Sequence, residues 1–316
     1  MFMQSHRGRC YLVGRVFAVT VAAAVAAWPA EGPKGATPAN ATFRADGTLV
    51  LVPVTVVDRR GAIVNGLASD VFTLTEDGVR QPLRAFSEED APVSIGVVLD
   101  LSGSMAPVLN AAKESLRTLM KDANPGDEAF LNGVSSDPRA YSGFTRSLDD
   151  MVRRIETERA YGYTALIDTI YGSLAQLRTG VYPRKALVII SDGMDNRSRY
   201  TNRELQRLAV ESDAQIYSIA VSGGASRKQG VAFAEEMGGL SFLRDLAERT
   251  GGLSFVVRDG TDIAKATANI GRALRNQYTI GYLPSGNGRS GQWRRIRVKV
   301  EGPGMTAYAR AGYRID

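Results

Sequence analysis

The chain has 316 residues, 44% of them hydrophobic and 23% charged, so it can bury at least one full core and is not a disordered protein. It carries 39 basic and 33 acidic residues, a formal charge of +6, with one histidine and one cysteine. These counts exclude a disulfide-rich scaffold, and the modest charge gives no indication of nucleic-acid binding.

The first thirty residues have the pattern of a secretory signal sequence. Arg7, Arg9 and Arg15 accompany an uncharged apolar run over residues 16–27, and small residues follow that run. The run is short for a membrane span, so we expect a cleaved signal over residues 1–30 and a secreted or periplasmic protein. An uncleaved N-terminal membrane anchor is the alternative. Cleavage would remove three basic residues and no acidic one, which leaves a formal charge of +3.

The same segment holds His6 and Cys10, the only histidine and the only cysteine of the chain. A mature chain without them cannot build a Ser-His-Asp or Cys-His nucleophile, a zinc site of histidine and cysteine, or a disulfide. Carboxylates, hydroxyls and carbonyls remain, and these oxygen ligands suit hard cations. The sequence therefore favours a binding protein over most classes of enzyme.

Residues 43–90 predict a small N-terminal β module. A β-branched run is followed by a strictly alternating run, which stops at the hairpin signal Asp77-Gly78. Residues 277–316 return to strand patterns, with apolar and basic residues in alternation near the end. Since these β segments flank the intervening part of the chain, we expect them to pair into one sandwich, with an α/β domain inserted between them.

Residues 91–276 alternate between apolar strands and amphipathic helices, and the last helices include a short one over residues 243–249. The predicted buried strands cover residues 95–99, 129–134, 186–190, 216–221 and 253–257. This alternation predicts an α/β fold with a doubly wound, mostly parallel sheet that is covered on both faces.

Polar residues follow two of these strands directly. Asp100 ends the first strand, with Ser102 and Ser104 at two-residue spacing, while Asp192 ends another strand and Thr164 lies at the entrance to a helix. Ligands of doubly wound sheets bind outside the carboxyl ends of the strands, where these oxygens can converge. Two carboxylates and three hydroxyls suit Mg²⁺, with Mn²⁺ or Ca²⁺ as alternatives. Helix capping by the same side chains is the structural alternative.

Three segments, Asp100-Leu-Ser102-Gly-Ser104, Gly162-Tyr-Thr164-Ala and Ser191-Asp192-Gly193, occur in this order. Together they resemble the von Willebrand factor type A (VWA) domain and its metal-ion-dependent adhesion site, over about residues 91–276. All five liganding positions of that pattern have a match here. The resemblance implies that the serines and the threonine contact the cation directly and that one or both aspartates act through water. A carboxylate from a protein partner would complete the shell.

The flanking segments carry a narrower resemblance. The Asp77-Gly78 hairpin and residues 277–282 are similar to the VWFA-related family common in Acidobacteria, over nearly the whole mature chain. This narrower resemblance adds little chemistry, and it is the VWA resemblance that implies a binding module whose partner bears acidic residues. Envelope association is compatible with it, and we expect neither a nucleic-acid partner nor a membrane span in the mature chain.

Tyr163 and Asp195 are expected at the rim of the site, where a partner would contact the protein, and the loop over residues 222–230 is expected near the same edge. Two other functions compete with partner binding. One is a metal-assisted hydrolase with Asp195 or Asp137 as general base. The other is a structural role in assembly of the envelope, with a metal site that has no binding function.

Overall fold

A computed structural model describes residues 48–135, 139–140, 142–223, 230–286 and 288–315. The predicted signal sequence with His6 and Cys10, the candidate base Asp137 and most of the loop over residues 222–230 lie outside these ranges.

The described strands are β1 (Val50–Val57), β2 (Phe72–Glu76), β3 (Val79–Gln81), β4 (Leu83–Glu88), β5 (Ser94–Asp100), β6 (Glu128–Val134), β7 (Arg139–Ala140), β8 (Lys185–Ser191), β9 (Gln215–Val221), β10 (Ser254–Val257), β11 (Tyr278–Tyr282), β12 (Trp293–Val300), β13 (Thr306–Ala309) and β14 (Gly312–Arg314). The α-helices are α1 (Leu109–Lys121), α2 (Leu148–Arg153), α3 (Leu166–Leu177), α4 (Asn202–Glu211), α5 (Val231–Thr250) and α6 (Gly260–Arg275).

The α/β part is built on a six-stranded sheet with the order β10-β9-β8-β5-β6-β7. The first five of these strands are parallel, and β7 pairs antiparallel with β6 at the edge. Every residue of β5, β6 and β9 is buried, as expected for central strands that helices cover on both faces. The predicted α/β fold with a doubly wound, mostly parallel sheet is confirmed.

Two apolar cores lie on the two faces of this sheet. One core joins the sheet to α1, α2 and α6, and the other joins it to α3, α4 and α5. Side chains of β5 alternate between them, since Val97 and Leu99 belong to the first core and Val98 to the second. The alternation fixes which side chains of β5 face each core. Asp100, the last residue of β5, lies at the carboxyl edge of the sheet.

The remaining strands form two four-stranded sheets, with the orders β13-β1-β11-β4 and β14-β12-β2-β3. Strands from both ends of the described chain pair in each sheet, as in the register of Val52 with Ile280 and of Leu74 with Val298. These four residues are buried in a third apolar core between the two sheets. The β2–β3 hairpin turns at Asp77 and Gly78, whose φ angles are 48° and 87°, values that two-residue hairpins require.

Helix α5 is longer than the sequence pattern predicts. The apolar periodicity indicated a helix over residues 243–249 only, whereas α5 has 20 residues and ends at Gly251 in the left-handed conformation. Its first turns are mostly exposed, so they carry no apolar stripe that the pattern could detect, although alanine, glutamate and methionine favour helix there. Across the described ranges, neither α5 nor any other helix has the length and apolar character needed to cross a membrane.

Candidate functional site

Asp100 and Ser191 end the neighbouring parallel strands β5 and β8, so their side chains meet at the carboxyl edge of the sheet. The Ser191 hydroxyl donates to Asp100 Oδ2 at 2.5 Å, and the Ser102 backbone N–H donates to Asp100 Oδ1 at 2.8 Å. Asp100 is completely buried. Ser191 is not among the predicted ligands, although its position directly before Asp192 at a strand end is a usable signal.

Burial raises the pKa of Asp100 from 3.8 to about 6, because ionisation inside the protein loses hydration. The bonds from Ser191 and Ser102 lower this pKa, while the nearby Asp192 carboxylate raises it. No lysine or arginine within the described ranges forms an ion pair with Asp100. The site therefore holds a buried carboxylate without a counter-charge among the described residues, an arrangement that favours a bound cation.

Ser102 and Ser104 lie in the loop that leaves β5, with their Oγ atoms 3.1 Å apart. Ser102 is buried and directly precedes a short 3-10 helix over residues 103–105. Ser104 lies within that helix and is exposed. The Ser102 side chain makes no capping bond to that helix, and α1 begins later, with Val108 at its N-cap. Thr164 does not cap α3 either, because Ala165 occupies the N-cap position. Capping therefore does not account for these three hydroxyls.

The loop after Asp192 holds Thr164 by its backbone. The Thr164 N–H donates to Asn196 Oδ1 at 3.0 Å, and the N–H groups of Asn196 and Arg197 donate to the Thr164 carbonyl at 3.0 and 3.1 Å. Both backbone groups of Thr164 are thus bonded to the segment that carries Asp192. The sequence does not indicate this role of Asn196, because the role depends on a contact between residues 32 positions apart.

Asp195 connects the same loop to α3. Its Oδ1 accepts from the Ile167 N–H at 3.2 Å and from the Ser198 hydroxyl at 2.6 Å. In turn, Asp168 accepts from the backbone N–H groups of Arg199 and Tyr200 at 2.9 and 3.0 Å. These bonds fix the loop against the first turns of α3. One oxygen of Asp195 is already engaged in them, so the structure offers no specific support for Asp195 as a general base.

Two glycines allow α5 to touch the site loop. A Cβ on Gly193, which has φ +78°, would lie 2.3 Å from the Gly239 carbonyl oxygen. A Cβ on Gly239 would lie 2.7 Å from the Asp192 carbonyl oxygen. The backbones of α5 and the site loop therefore approach so closely that a side chain at position 193 or 239 would collide with the other segment. The position of Asp192 thus depends on α5.

The rim of the site combines aromatic groups with a positive charge. Tyr163 is 56% exposed, and the Arg197 guanidinium lies 4.6 Å from the centre of its ring. Glu236 of α5 accepts from the Ser222 hydroxyl at 2.7 Å, just beyond the end of β9. The first turn of α5 therefore projects past the carboxyl edge of the sheet, where it exposes Phe233. A partner that approaches Asp100 would meet this rim.

The residues present suit a hard divalent cation. No group of three or more histidine, cysteine, aspartate or glutamate side chains forms a metal cluster in the part of the chain that the structure describes. The candidate set depends instead on the carboxylates of Asp100 and Asp192 with the hydroxyls of Ser102, Ser104 and Thr164. Oxygen ligands of this kind match Mg²⁺, Mn²⁺ and Ca²⁺, and the uncompensated charge of Asp100 has the sign that a cation requires.

Comparison with known proteins identifies the α/β part. Residues 95–194 match the model of the von Willebrand factor type A domain. No curated protein matches the sequence. Matching solved structures include the conserved hypothetical protein BatB from Bacteroides thetaiotaomicron, which is 16% identical with a TM-score of 0.44, over 57% of this chain and 98% of that one.

Two further matching structures are a von Willebrand factor type A protein from Catenulispora acidiphila and the vWF domain of the type V pili tip protein Mfa5 from Porphyromonas gingivalis. The first is 14% identical with a TM-score of 0.48, over 87% of this chain and 76% of that one. The second is 13% identical with a TM-score of 0.47, over 58% of this chain and 95% of that one. The predicted VWA domain is confirmed by the family match, while the narrower resemblance to the VWFA-related family stays a prediction.

Proposed function

We propose that this chain, whose α/β part contains a von Willebrand factor type A domain, is a secreted or periplasmic protein that binds a protein partner through a divalent cation. The observation that carries the proposal is Asp100, a fully buried carboxylate at the ligand-binding edge of the sheet that forms no ion pair within the described residues. Secretion rests on the signal pattern of residues 1–30, and mass spectrometry of the mature N-terminus would test it.

The cation would be held by Ser102, Ser104 and Thr164 through their hydroxyls, with Asp100 and Asp192 as direct or water-mediated ligands. A bound Mg²⁺, Mn²⁺ or Ca²⁺ supplies positive charge and a ligand position that an external carboxylate can fill. The protein residues have distinct tasks: Ser191 orients Asp100, and Asn196 holds Thr164.

The partner would present an aspartate or glutamate side chain. Arg197, stacked on Tyr163, adds positive charge to the rim, which favours an acidic partner. The exposed rings of Tyr163 and Phe233 offer apolar area around that contact. Asp195 supports the rim through the start of α3, so we assign it a positioning role.

The test is capture of envelope proteins by the immobilised mature chain, with Mg²⁺, with EDTA, and with an Asp192→Ala variant whose melting temperature matches the parent. We expect a specific partner only with the parent in Mg²⁺. Capture of the same proteins under all three conditions would contradict the proposal and would favour a structural role in the envelope. Turnover of a phosphate ester that follows added metal would instead favour a hydrolase.

A further inference from the structure

A second polar region lies where α4 and the end of α5 face the sandwich. Two adjoining cavities, each of about 230 Å³, share Val210 and Arg249 in their walls. One cavity reaches the starts of β8 and β9, at the opposite end of these strands from Asp192. We call this region the arginine groove, after five of the six arginines that line it: Arg203, Arg207, Arg249, Arg310 and Arg314. The sixth, Arg184, donates to the backbone carbonyls of Ala91 and Leu274.

The basic side chains that line the arginine groove outnumber the acidic ones. Its two acidic residues are already paired, Glu211 with Arg314 at 2.8 Å and Asp213 with Arg310. By contrast, no ion pair within the described ranges involves the other three arginines, Arg203, Arg207 and Arg249. Arg203 and Arg207 are four residues apart and lie on one face of α4.

The walls of the arginine groove are held by backbone contacts. The Ala311 N–H donates to the Arg249 carbonyl at 3.0 Å. A Cβ on Gly251, at the end of α5, would lie 2.5 Å from the backbone nitrogen of Arg310, so the helix end and the sandwich are in direct contact. Within the described residues, Arg310 Nε is buried without a hydrogen-bond partner. These contacts fix the end of α5 against the sandwich at the groove.

Trp293 adds an apolar wall. It pairs with Arg314 across β12 and β14, and a Cβ on Gly312 would lie 2.4 Å from its indole ring. The ring therefore lies across the backbone of Gly312 and borders the arginines. An organic group attached to an anion could pack against it.

We propose that the arginine groove binds a ligand that carries phosphate groups, independently of the cation site. Guanidinium groups bind phosphate oxygens through paired, charge-assisted hydrogen bonds. Arg203, Arg207 and Arg249 form no ion pair within the described ranges. Three such arginines favour an anion with at least two negative charges, as in a phosphate monoester or a diphosphate. A soluble phosphate ester and a phospholipid headgroup share this chemistry, and the test below separates them.

The experiment is calorimetric titration of pyrophosphate into the full chain in EDTA, so that no bound cation contributes. We compare the parent with Arg203→Gln/Arg207→Gln and with Arg249→Gln. The matched control, Arg59→Gln/Arg178→Gln, changes two exposed arginines outside the groove. We expect saturable binding by the parent, about tenfold weaker in the first two variants. The control and Asp192→Ala should bind like the parent.

A second arm measures flotation with phosphatidylcholine vesicles that contain or lack phosphatidylglycerol. Flotation that needs phosphatidylglycerol and is lost in Arg203→Gln/Arg207→Gln supports the proposal with a lipid as the source of phosphate. Pyrophosphate binding without flotation supports it with a soluble ligand. Equal binding by parent and groove variants of unchanged melting temperature, or no binding of either probe, would overturn it.

Discussion

At the amino-terminal edge of the α/β sheet, the buried Asp127 carboxylate meets the Arg275 guanidinium at 2.9 Å. At the carboxyl-terminal edge, Asp100 is equally buried, and within the described residues it accepts from Ser191 and Ser102 without an ion pair. Asp127 also accepts from the backbone N–H groups of Val93 and Asn124, at 2.8 and 3.0 Å. One edge thus pairs its buried charge within the protein, and the other does not.

The difference separates a structural role from a binding role. A buried carboxylate with an arginine partner and two amide donors is complete without any ligand. Asp100 has comparable hydrogen bonds but no counter-charge within the described ranges, and a second carboxylate, Asp192, adds repulsion. Since a protein rarely keeps such a charge for stability alone, we interpret the carboxyl edge as the side that takes a cation.

Removal of the paired charge at the amino edge should have the largest effect. Asp127→Ala leaves Arg275 largely buried without this partner, so we expect the free energy of unfolding in urea to fall by about 3–5 kcal/mol. Asp90→Ala, which removes a half-exposed partner of the same arginine, should cost about 0–1 kcal/mol. Similar losses in both variants would show that the amino edge does not depend on the buried pair.

Neutralisation at the carboxyl edge should have the opposite sign. In EDTA near neutral pH, Asp100→Asn should raise the free energy of unfolding by about 2–3 kcal/mol, because it removes the cost of an ionised buried carboxylate. The same variant should lose cation binding, measured by calorimetry. If Asp100→Asn instead lowered the free energy of unfolding, the Asp100 carboxylate would stabilise the fold as the Asp127 carboxylate does, which would contradict the difference between the two edges.

The contact between α5 and the site loop can be tested with adjacent glycines. Gly239→Ala should lower the free energy of unfolding by about 1–3 kcal/mol and weaken cation binding, since its Cβ would collide with the backbone of Asp192 and Gly193. Gly238→Ala meets no atom within 4 Å and should be neutral or stabilise α5 by up to about 1 kcal/mol. If Gly239→Ala and Gly238→Ala changed cation affinity equally, the contact between α5 and the site loop would not control cation binding.

The pH dependence tests the same buried carboxylate through a slope in stability. The pKa of Asp100 is raised from 3.8 to about 6 in the folded protein, so the folded state binds more protons than the unfolded state between these values. The contribution of Asp100 to stability is therefore present at low pH and is lost as the pH rises towards 6, by up to about 1.4 kcal/mol per pH unit. Urea titrations in EDTA should show this slope in the parent relative to Asp100→Asn. Parallel curves would contradict the raised pKa.

The sequence predicted those parts of the molecule that depend on local pattern. The buried strands and the position of Asp100 and Asp192 at strand ends follow from apolar runs and from the geometry of parallel sheets. The pairing of β1 with β11 could be anticipated because both segments are strand-like and flank the α/β part. The five candidate ligands stay a prediction, made from these strand ends, from the spacing of the hydroxyls and from the VWA resemblance.

Contacts between distant segments could not be predicted. Ser191 and Asn196 matter because of what they touch, at separations of 91 and 32 residues. The first half of α5 lacks an apolar stripe because it projects beyond the sheet. The arginine groove joins α4 to the C-terminal strands, and no sequence motif brings Arg203 near Arg314.

The central claim is that the carboxyl edge requires a divalent cation, and calorimetric titration of Mg²⁺ into the EDTA-treated mature chain tests it most directly. The comparison is with Asp100→Ala/Ser102→Ala, and both proteins are also melted with and without Mg²⁺. We predict saturable binding and a higher melting temperature in Mg²⁺ for the parent, with neither in the double variant. No saturable binding by the parent, or equal binding by both proteins, would contradict the claim.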